Sequence, residues 1–132
     1  EGKVVKTIPG FISGMTNSPA FDTKLAVDGA GNIFALTSST IYKFTADGKY
    51  ENKFGSRGNE PGQFRSPQAI AIDQQSRIYV ADSAGVLVFA PDGRYLDTLR
   101  VEGGAPSGMV FNDKNELFIV ARTFVFKYVL SR

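Results

Sequence analysis

Short apolar runs, separated by turns rich in glycine, proline and polar residues, follow one another along the chain. The clearest set lies in the middle, where residues 68–73, 77–82, 85–89 and 94–99 combine β-branched, aromatic and aliphatic side chains. Runs of this length and composition are typical of β-strands, and no window shows a sustained helical period. The pattern predicts four short strands joined by tight turns into one antiparallel sheet.

The same four-strand pattern recurs along the chain. Asp47-Gly48 matches Asp92-Gly93 at a distance of 45 residues, and Asp28 and Asp73 are separated by the same interval. A third copy follows after a shorter interval of 39 residues, with Asn112 in the place of Asp73. Repeats of about 40 to 45 residues with four strands each are the signature of propeller blades.

The middle copy carries the most specific motif. Residues 54–64 read FGSRGNEPGQF, Pro67 follows, and the next two strands contain IAID at 70–73 and IYVAD at 78–82. With these residues the chain resembles the NHL-repeat family of β-propellers, closely in the middle copy and more loosely in the outer two. The resemblance implies an all-β fold of three four-stranded antiparallel blades of an NHL-type β-propeller, half of a six-bladed ring. It covers essentially all of residues 1–132 as one propeller segment, with an outer strand plus the first blade over 1–44, the second blade over 45–89 and the third over 90–132.

The phase of the repeat predicts how the ends behave. Residues 2–8 align with the outer strands of the later copies, whereas the last strand, residues 124–130, is a third strand. Propellers close by pairing a leading outer strand with the last blade, and three blades are too few to close a ring. Apolar faces left open on the first and last blades predict association, either as a homodimer that completes six blades or with the remaining blades of a longer chain. The residues expected at this closure are Val4, Val5, Ile8, Phe124, Phe126 and Tyr128.

Composition restricts the chemistry. The chain contains no Cys and no His, which removes disulfides, thiolate nucleophiles, His-based acid–base catalysis and most transition-metal sites. Fifteen basic residues against 13 acidic ones give no argument for nucleic acid, and no apolar run approaches a membrane span. We expect a soluble protein with no cofactor and no membrane insertion. The compartment stays open, with extracellular and periplasmic locations included, because secreted bacterial proteins often lack cysteine.

Asp28, Asp73 and Asn112 end the innermost strands of the three copies. Such a ring of oxygens could bind a cation at a channel mouth. The favoured interpretation is that each side chain accepts backbone N–H groups of the turn that follows at once. Asp47-Gly48 and Asp92-Gly93 indicate hairpin turns, in which glycine supplies a positive φ.

Apolar side chains on the predicted strands are expected to form the core between stacked blades. Three tyrosines, Tyr42, Tyr79 and Tyr128, are expected at blade edges with their hydroxyl groups in solvent. The expected core set is Leu25, Val27, Ile33, Leu36, Phe44, Ile70, Ile72, Tyr79, Leu87, Phe89, Met109, Phe111 and Phe118.

The ligand face of a propeller is expected where the outer-to-inner connections meet the turns between second and third strands, because loops vary there while the sheets stay rigid. Arginines on that face could hold phosphate or carboxylate groups with two hydrogen bonds. The favoured interpretation is ordinary solvated charge, including pairs with Glu60 or Asp82. The residues expected on this face are Arg57, Asn59, Gln63, Arg65, Thr37, Ser38, Asp82, Ser83 and Arg122.

The leading functional prediction is a non-catalytic scaffold, a propeller segment that binds protein or assembles with itself. The resemblance also implies two alternatives, because some NHL propellers bind single-stranded RNA and look-alikes of the fold include calcium-dependent hydrolases and a lyase. RNA binding is disfavoured by the balanced charge and by the lack of loops that interleave aromatic and basic residues. The lyase chemistry relies on His ligands, which the chain lacks.

Overall fold

The computed structural model describes residues 24–37, 39–83, 85–101, 106–121 and 124–128. Among the described residues, no helix is long and apolar enough to cross a membrane. The described elements are eleven short strands, whose apolar, β-branched and aromatic content matches the sequence pattern. These are β1 (Lys24–Val27), β2 (Ile33–Leu36), β3 (Ile41–Phe44), β4 (Tyr50–Phe54), β5 (Ala69–Ile72), β6 (Ile78–Asp82), β7 (Gly85–Phe89), β8 (Tyr95–Leu99), β9 (Pro106–Phe111), β10 (Leu117–Ala121) and β11 (Phe124–Tyr128).

The strands form three antiparallel sheets, which confirms the all-β architecture. The first sheet has the order β1-β2-β3-β4, the second has the order β5-β6-β7-β8, and the third has the order β11-β10-β9. The third sheet contains three strands within the described part of the chain. Each outer strand pairs with the strand before it, so the first two sheets end at Phe54 and Leu99.

The hairpin turns before the outer strands have the predicted backbone conformation. Gly48 and Gly93 have φ values of 85° and 98°, a region that suits glycine. Gly93 also lacks room for a side chain, because a Cβ there would lie 2.8 Å from ring atoms of Phe54. The turn of the second sheet therefore packs directly on the outer strand of the first.

The core lies between the sheets, which stack face to face. Between the first and second sheets, buried residues include Phe34, Ile41, Ile78 and Phe89. A second cluster joins the second and third sheets, where the ring of Tyr79 meets that of Phe111 at a centroid distance of 4.9 Å. Stacking of this kind buries both faces of the middle sheet.

The two end sheets each have one side that no described sheet covers. On the first sheet this side carries Leu25 and Val27, which are 66% and 60% exposed. Both were expected in the core, and the expectation is wrong because no described sheet packs against this side. Val110 and Val125 lie on the uncovered side of the third sheet and are 60% and 66% exposed. The other members of the expected core set are buried or half-buried.

Candidate binding face

The connection from β4 to β5 folds back on itself around Phe64. The N–H of Gly58 donates to the Phe64 carbonyl at 3.0 Å, and the Phe64 N–H donates to the Ser56 carbonyl at 2.8 Å. The Phe64 ring is fully buried and lies 5.8 Å from the Phe89 ring. Gly55 has φ 88°, and a Cβ there would lie 2.7 Å from the Phe64 ring. Phe64 therefore anchors the loop to the interface between the first two sheets.

The side chain of Gln63 braces this loop from within. Its Oε1 accepts the backbone N–H of Glu60 at 3.1 Å, and its Nε2 donates to the Ser56 hydroxyl at 3.1 Å. The backbone N–H of Gln63 also donates to the Glu60 carbonyl at 2.9 Å. Gln63, which was expected to face a ligand, thus has a structural role in shaping the loop.

Asp82 fastens the same connection to the end of β6. Its fully buried carboxylate accepts the Arg65 N–H at 3.0 Å and the Ser66 N–H at 2.7 Å. The contact to Arg65 is made by the backbone N–H and not by the guanidinium. Asp82 therefore lies beneath the expected ligand face, where its buried carboxylate is the acceptor for two backbone N–H groups of the loop.

A shallow groove of about 180 Å³ lies between the loop and the second sheet. The hydroxyls of Tyr95 and Thr98, on its strand side, are 2.6 Å apart and share a hydrogen bond. Arg65, at the loop side, is exposed. The groove is lined by Asn59, Glu60, Pro61, Gly62, Gln63, Arg65, Leu87, Tyr95 and Thr98.

The structure brings together only part of the expected ligand face. Of the expected residues, Asn59, Gln63 and Arg65 line the groove, whereas Arg57 does not. Ser83 is exposed but likewise does not line the groove. Ser38 and Arg122 lie outside the described residues.

Thr37 occupies a separate turn of the first sheet. Its hydroxyl donates to the Thr40 carbonyl at 3.0 Å and accepts the Thr40 N–H at 3.2 Å. This local bonding is the usual use of a threonine at a turn. Thr37 therefore belongs to the structure of its own turn.

Sequence reasoning did not place six of the nine lining residues on the ligand face. Three of them, Glu60, Pro61 and Gly62, belong to the loop motif, and the other three are Leu87, Tyr95 and Thr98. The last three lie on strands. They belong to β7 and β8, so nothing in their local pattern separates them from other strand residues. Their place in the groove depends on how the loop folds over the sheet. The role of Phe64 had a signal, since one large apolar residue within a glycine-rich connection suggests an anchor.

Three matching turns lie at the opposite end of the strands, where β1 turns into β2, β5 into β6 and β9 into β10. Asp28, Asp73 and Asn112 each accept, through Oδ1, the backbone N–H groups of the residues two and four positions further on. The distances lie between 2.9 and 3.0 Å. The interpretation of these side chains as turn acceptors is therefore confirmed.

In each turn the residue four positions on completes the arrangement. Asn32 Nδ2 donates to Asp28 Oδ2 at 3.0 Å, and Arg77 Nε donates to Asp73 Oδ2 at 2.6 Å. Burial raises the pKa of Asp28, but the hydrogen bonds from Asn32 and Ala30 outweigh this and hold the pKa below its ordinary value. Each of the two aspartates thus accepts a hydrogen bond from a side chain four residues further on.

In the third turn the donor and the acceptor exchange positions. Asn112 Nδ2 is the donor and Glu116 Oε1 the acceptor, at 2.8 Å. Glu116 also forms an ion pair with Lys127 at 3.2 Å. The hydrogen bond from Asn112 and the contact with Lys127 lower the pKa of Glu116.

The hydroxyl of Tyr79 is not in solvent, contrary to expectation. It is buried and donates to Asp73 Oδ2 at 2.9 Å. Burial, together with this bond to a carboxylate, raises the pKa of Tyr79. The network ties the inner turn of the second sheet to the interface with the third.

The described part of the chain contains no group of three Asp, Glu, His or Cys residues placed to hold a metal ion. Both carboxylate oxygens of Asp28 and Asp73 accept hydrogen bonds within their own turns or from neighbouring side chains. The arrangement found here is three separate turns, each with its own bonding.

Comparisons with known proteins agree with the stacked sheets. A family model described as DUF5128, 6-bladed beta-propeller, matches residues 27–125. No curated protein matches the chain. The WD40 repeats of RRP9 are similar, with a TM-score of 0.67, 21% identity, and coverage of 80% of this chain and 34% of that one.

Two solved enzymes show the same likeness in fold. A streptogramin B lyase has a TM-score of 0.55 at 18% identity, with 80% of this chain and 39% of that chain covered. A gluconolactonase from Xanthomonas campestris has a TM-score of 0.57 at 18% identity, with 79% and 36% covered. The chain thus spans less than two fifths of the length of each of these three structures, and identities this low show the fold alone.

Proposed function

Because the chain belongs to the DUF5128 family of 6-bladed beta-propellers, we propose that it is a non-catalytic scaffold that binds protein and assembles with further blades into a ring. Three sheets are half of the blades that the family description names. Propeller sheets protect their apolar faces by stacking around an axis. A unit of three therefore needs neighbours at both ends.

One observation carries this proposal, namely the exposed apolar side chains at the two ends of the stack. Leu25 and Val27 at one end, and Val110 and Val125 at the other, are all at least 60% exposed. Apolar groups gathered on one face usually mark an interaction surface. Both ends of the described stack have such a face, as expected for a segment within a ring.

The chemistry of the described residues supports a scaffold over an enzyme. Asp28, Asp73 and Asp82 are buried and hold turns or loops through backbone N–H groups. The groove, at about 180 Å³, is smaller than the 300–1,000 Å³ common for small-molecule sites. Its rim of Asn59, Glu60 and Arg65 suits polar contacts with a protein surface.

We assign the repeats to the NHL type, on the motif at residues 54–64. This segment forms the compact loop that Phe64 anchors and Gln63 braces. The motif therefore has a structural purpose in joining one blade to the next. The loop also presents Arg57 and Asn59 to solvent.

Ring closure in this proposal uses the edge of β11. Within the described residues, β11 pairs with β10 on one side, and its other edge is open to a further strand. Phe124, Phe126 and Tyr128 belong to β11, whereas Val4, Val5 and Ile8 lie outside the described residues. In a homodimer, the strand at residues 2–8 of a second copy would pair with this edge.

Measuring the mass in solution tests the scaffold proposal. We expect sedimentation or light scattering at micromolar concentration to give twice the chain mass of 14.3 kDa. Val120→Asp, a charge on an exposed end face, should shift the protein towards monomer. A stable wild-type monomer would contradict assembly as the function of this chain.

The single-stranded RNA alternative has one supporting observation, the exposure of Arg57 and Arg65 on the loop face. Against it, the loop aromatic Phe64 is buried and offers no base-stacking surface. A labelled oligonucleotide separates the two functions, since phosphate contacts would give binding that falls steeply with salt. The hydrolase or lyase alternative would require bound Ca²⁺, which calorimetry with Ca²⁺ alone would detect.

A further inference from the structure

The exposed side of the third sheet repeats, position by position, a side of the first sheet that is buried. In the first sheet Phe34 is paired with Lys43, and in the third Phe118 is paired with Lys127 in the same antiparallel register. The covered side of the first sheet comprises Ala26, Phe34, Leu36, Ile41 and Lys43, of which Ala26 and Lys43 are half-buried. The matching side of the third sheet, called here the end face of the third sheet, comprises Val110, Phe118, Val120, Val125 and Lys127, of which only Phe118 is half-buried and the others are exposed.

Lys43 shows what a lysine at this position does when a neighbouring sheet is present. Its Nζ donates to the Pro91 carbonyl on the second sheet at 3.3 Å and lies 5.5 Å from the centre of the Phe34 ring. It also forms an ion pair with Glu51 at 3.6 Å. The side chain is only 11% exposed, so it packs along the interface while its ammonium reaches the β7–β8 turn of the next sheet.

Lys127 has the same position but no described sheet beside it. Its side chain is 51% exposed, and its Nζ lies 3.2 Å from Glu116 of its own sheet. The pairing with an aromatic residue is the same in both sheets, so the contrast with Lys43 lies in the neighbouring sheet, which among the described residues is present beside Lys43 and not beside Lys127. The end face of the third sheet is thus built to meet another sheet.

The neighbour must offer a turn carbonyl where the second sheet offers that of Pro91. The first sheet has this feature at Ala46, which precedes Asp47-Gly48 as Pro91 precedes Asp92-Gly93. The two turns also share their bonding. Gly48 N–H donates to the Thr45 carbonyl at 2.8 Å, and Gly93 N–H donates to the Ala90 carbonyl at 2.8 Å. Ala46 is exposed.

The neighbour must also offer an apolar surface. The outer side of the first sheet has Leu25 and Val27 largely exposed on its innermost strand. Tyr42 and Phe44 lie on the same side and are already buried in a cluster with Ala35. The exposed positions on this side are therefore those of the innermost strand, together with the turn at Ala46.

We propose that the end face of the third sheet docks on the outer side of the first sheet of a second copy. In this contact Lys127 Nζ donates to the Ala46 carbonyl of the second copy, as Lys43 does to Pro91 within one chain. The inference rests on the proposed scaffold function and names its partner. Two such contacts, related by a two-fold axis, continue the stack of sheets from one copy into the other and give six sheets.

The first test compares dimer affinities by sedimentation over a dilution series. Lys127→Ala should weaken the dimer about tenfold or more, since a hydrogen bond from a charged donor is lost. Lys114→Ala is the matched control, because Lys114 is an exposed lysine in a turn of the same sheet. Val125→Asp should abolish the dimer while the monomer keeps its β-sheet circular dichroism, because Val125 is exposed within one chain.

The second test locates the contact by cross-linking. The chain has no native Cys, so Lys127→Cys in one copy and Ala46→Cys in another can be joined by a short thiol-specific cross-linker. A covalent heterodimer is expected, and Lys114→Cys with Ala46→Cys should give none. A dimer that neither cross-links at these positions nor responds to Lys127→Ala overturns this contact but leaves the scaffold function standing. A wild-type monomer overturns both.

Discussion

The second and third sheets share one strand template but differ in what covers them. Every residue of β6 and β7 is buried, because the second sheet lies between two neighbours. In β10 the sequence LFIVA is as apolar as IYVAD in β6, yet Val120 is exposed. An apolar run without alternation suits a strand that is covered on both sides. The third sheet therefore has the sequence of a blade covered on both sides, although within the described residues only one of its sides is covered.

The largest expected effect comes from removing a core ring of the second sheet. Phe89 contacts the rings of Phe54, Phe64 and Tyr95, so Phe89→Ala leaves a cavity among them. We expect a loss of about 3–5 kcal/mol in the free energy of unfolding, measured by chemical denaturation. The paired variant on the third sheet is Val125→Ala, which should change stability by less than about 0.5 kcal/mol in the monomer. Similar losses for both would contradict the difference in burial.

The next effect concerns a polar side chain that the second sheet has and the third lacks. Asp82 ends β6, whereas the matching residue of β10 is the buried Ala121. Asp82→Ala makes the second sheet resemble the third and leaves the N–H groups of Arg65 and Ser66 without their acceptor. We expect a loss of roughly 2–4 kcal/mol in the free energy of unfolding, since two part-buried N–H groups each lose a hydrogen bond to a charged acceptor, which contributes about 1.5–3 kcal/mol.

Limited trypsin digestion shows whether this loss is local to the loop. Cleavage after Arg57 and Arg65 should become faster in Asp82→Ala, because the loop loses its attachment to β6. Ser83→Ala, at the exposed neighbouring position, is the control and should cleave like the wild type. Unchanged cleavage in Asp82→Ala would show that the carboxylate does not hold the loop.

A third comparison exchanges the turn residues of the two sheets. Asn112→Asp copies the aspartate of the second sheet into the third, but there it meets Glu116 instead of an arginine. The lost hydrogen bond costs about 1 kcal/mol, and repulsion between the two carboxylates adds to it. Adding Glu116→Arg restores the donor found at Arg77 and should recover most of the loss in thermal denaturation. If Asn112→Asp is as stable as the wild type, then pairing a donor with an acceptor at positions 112 and 116 does not stabilise the third turn.

Sequence reasoning succeeded where structure is decided by neighbouring residues in the chain. The strands, the turns after Asp28 and Asp73, and the glycine turns follow from local patterns. It was less successful where distant segments meet. The exposure of Leu25 depends on what lies beside the first sheet, and the burial of Asp82 depends on the fold of a loop 16 or 17 residues away.

The candidate site likewise contains residues that a local motif predicted and residues that come from a distant part of the chain. The loop at residues 54–64 was identified from its motif, whereas the groove beside it also needs Tyr95 and Thr98 from a later strand. In the third turn, the sequence shows only that Asn112 stands in the place of an aspartate. That Asn112 is the donor and Glu116 the acceptor becomes known only from their contact in the structure. The donor and acceptor roles of such residue pairs can be predicted once the geometry of the turn is known.

The smallest expected effect is a pH dependence confined to the third turn. The pKa of Glu116 is lowered from its ordinary value of 4.5, so the folded state favours the ionised form of this side chain. Its stabilising contribution is therefore present above about pH 4.5 and is lost as the pH falls through the lowered pKa.

Glu116→Gln removes this titration, and Glu60→Gln, at an exposed loop position, is the matched control. Melting temperatures measured between pH 7 and pH 3 should fall less steeply for Glu116→Gln than for the wild type, whereas the control should follow the wild type. Glu116→Gln differs from the wild type only at Glu116, so the difference between these two curves reports that residue. Parallel curves would mean that the contacts with Asn112 and Lys127 do not favour the ionised form, and the reversed polarity of the third turn would then have no electrostatic consequence.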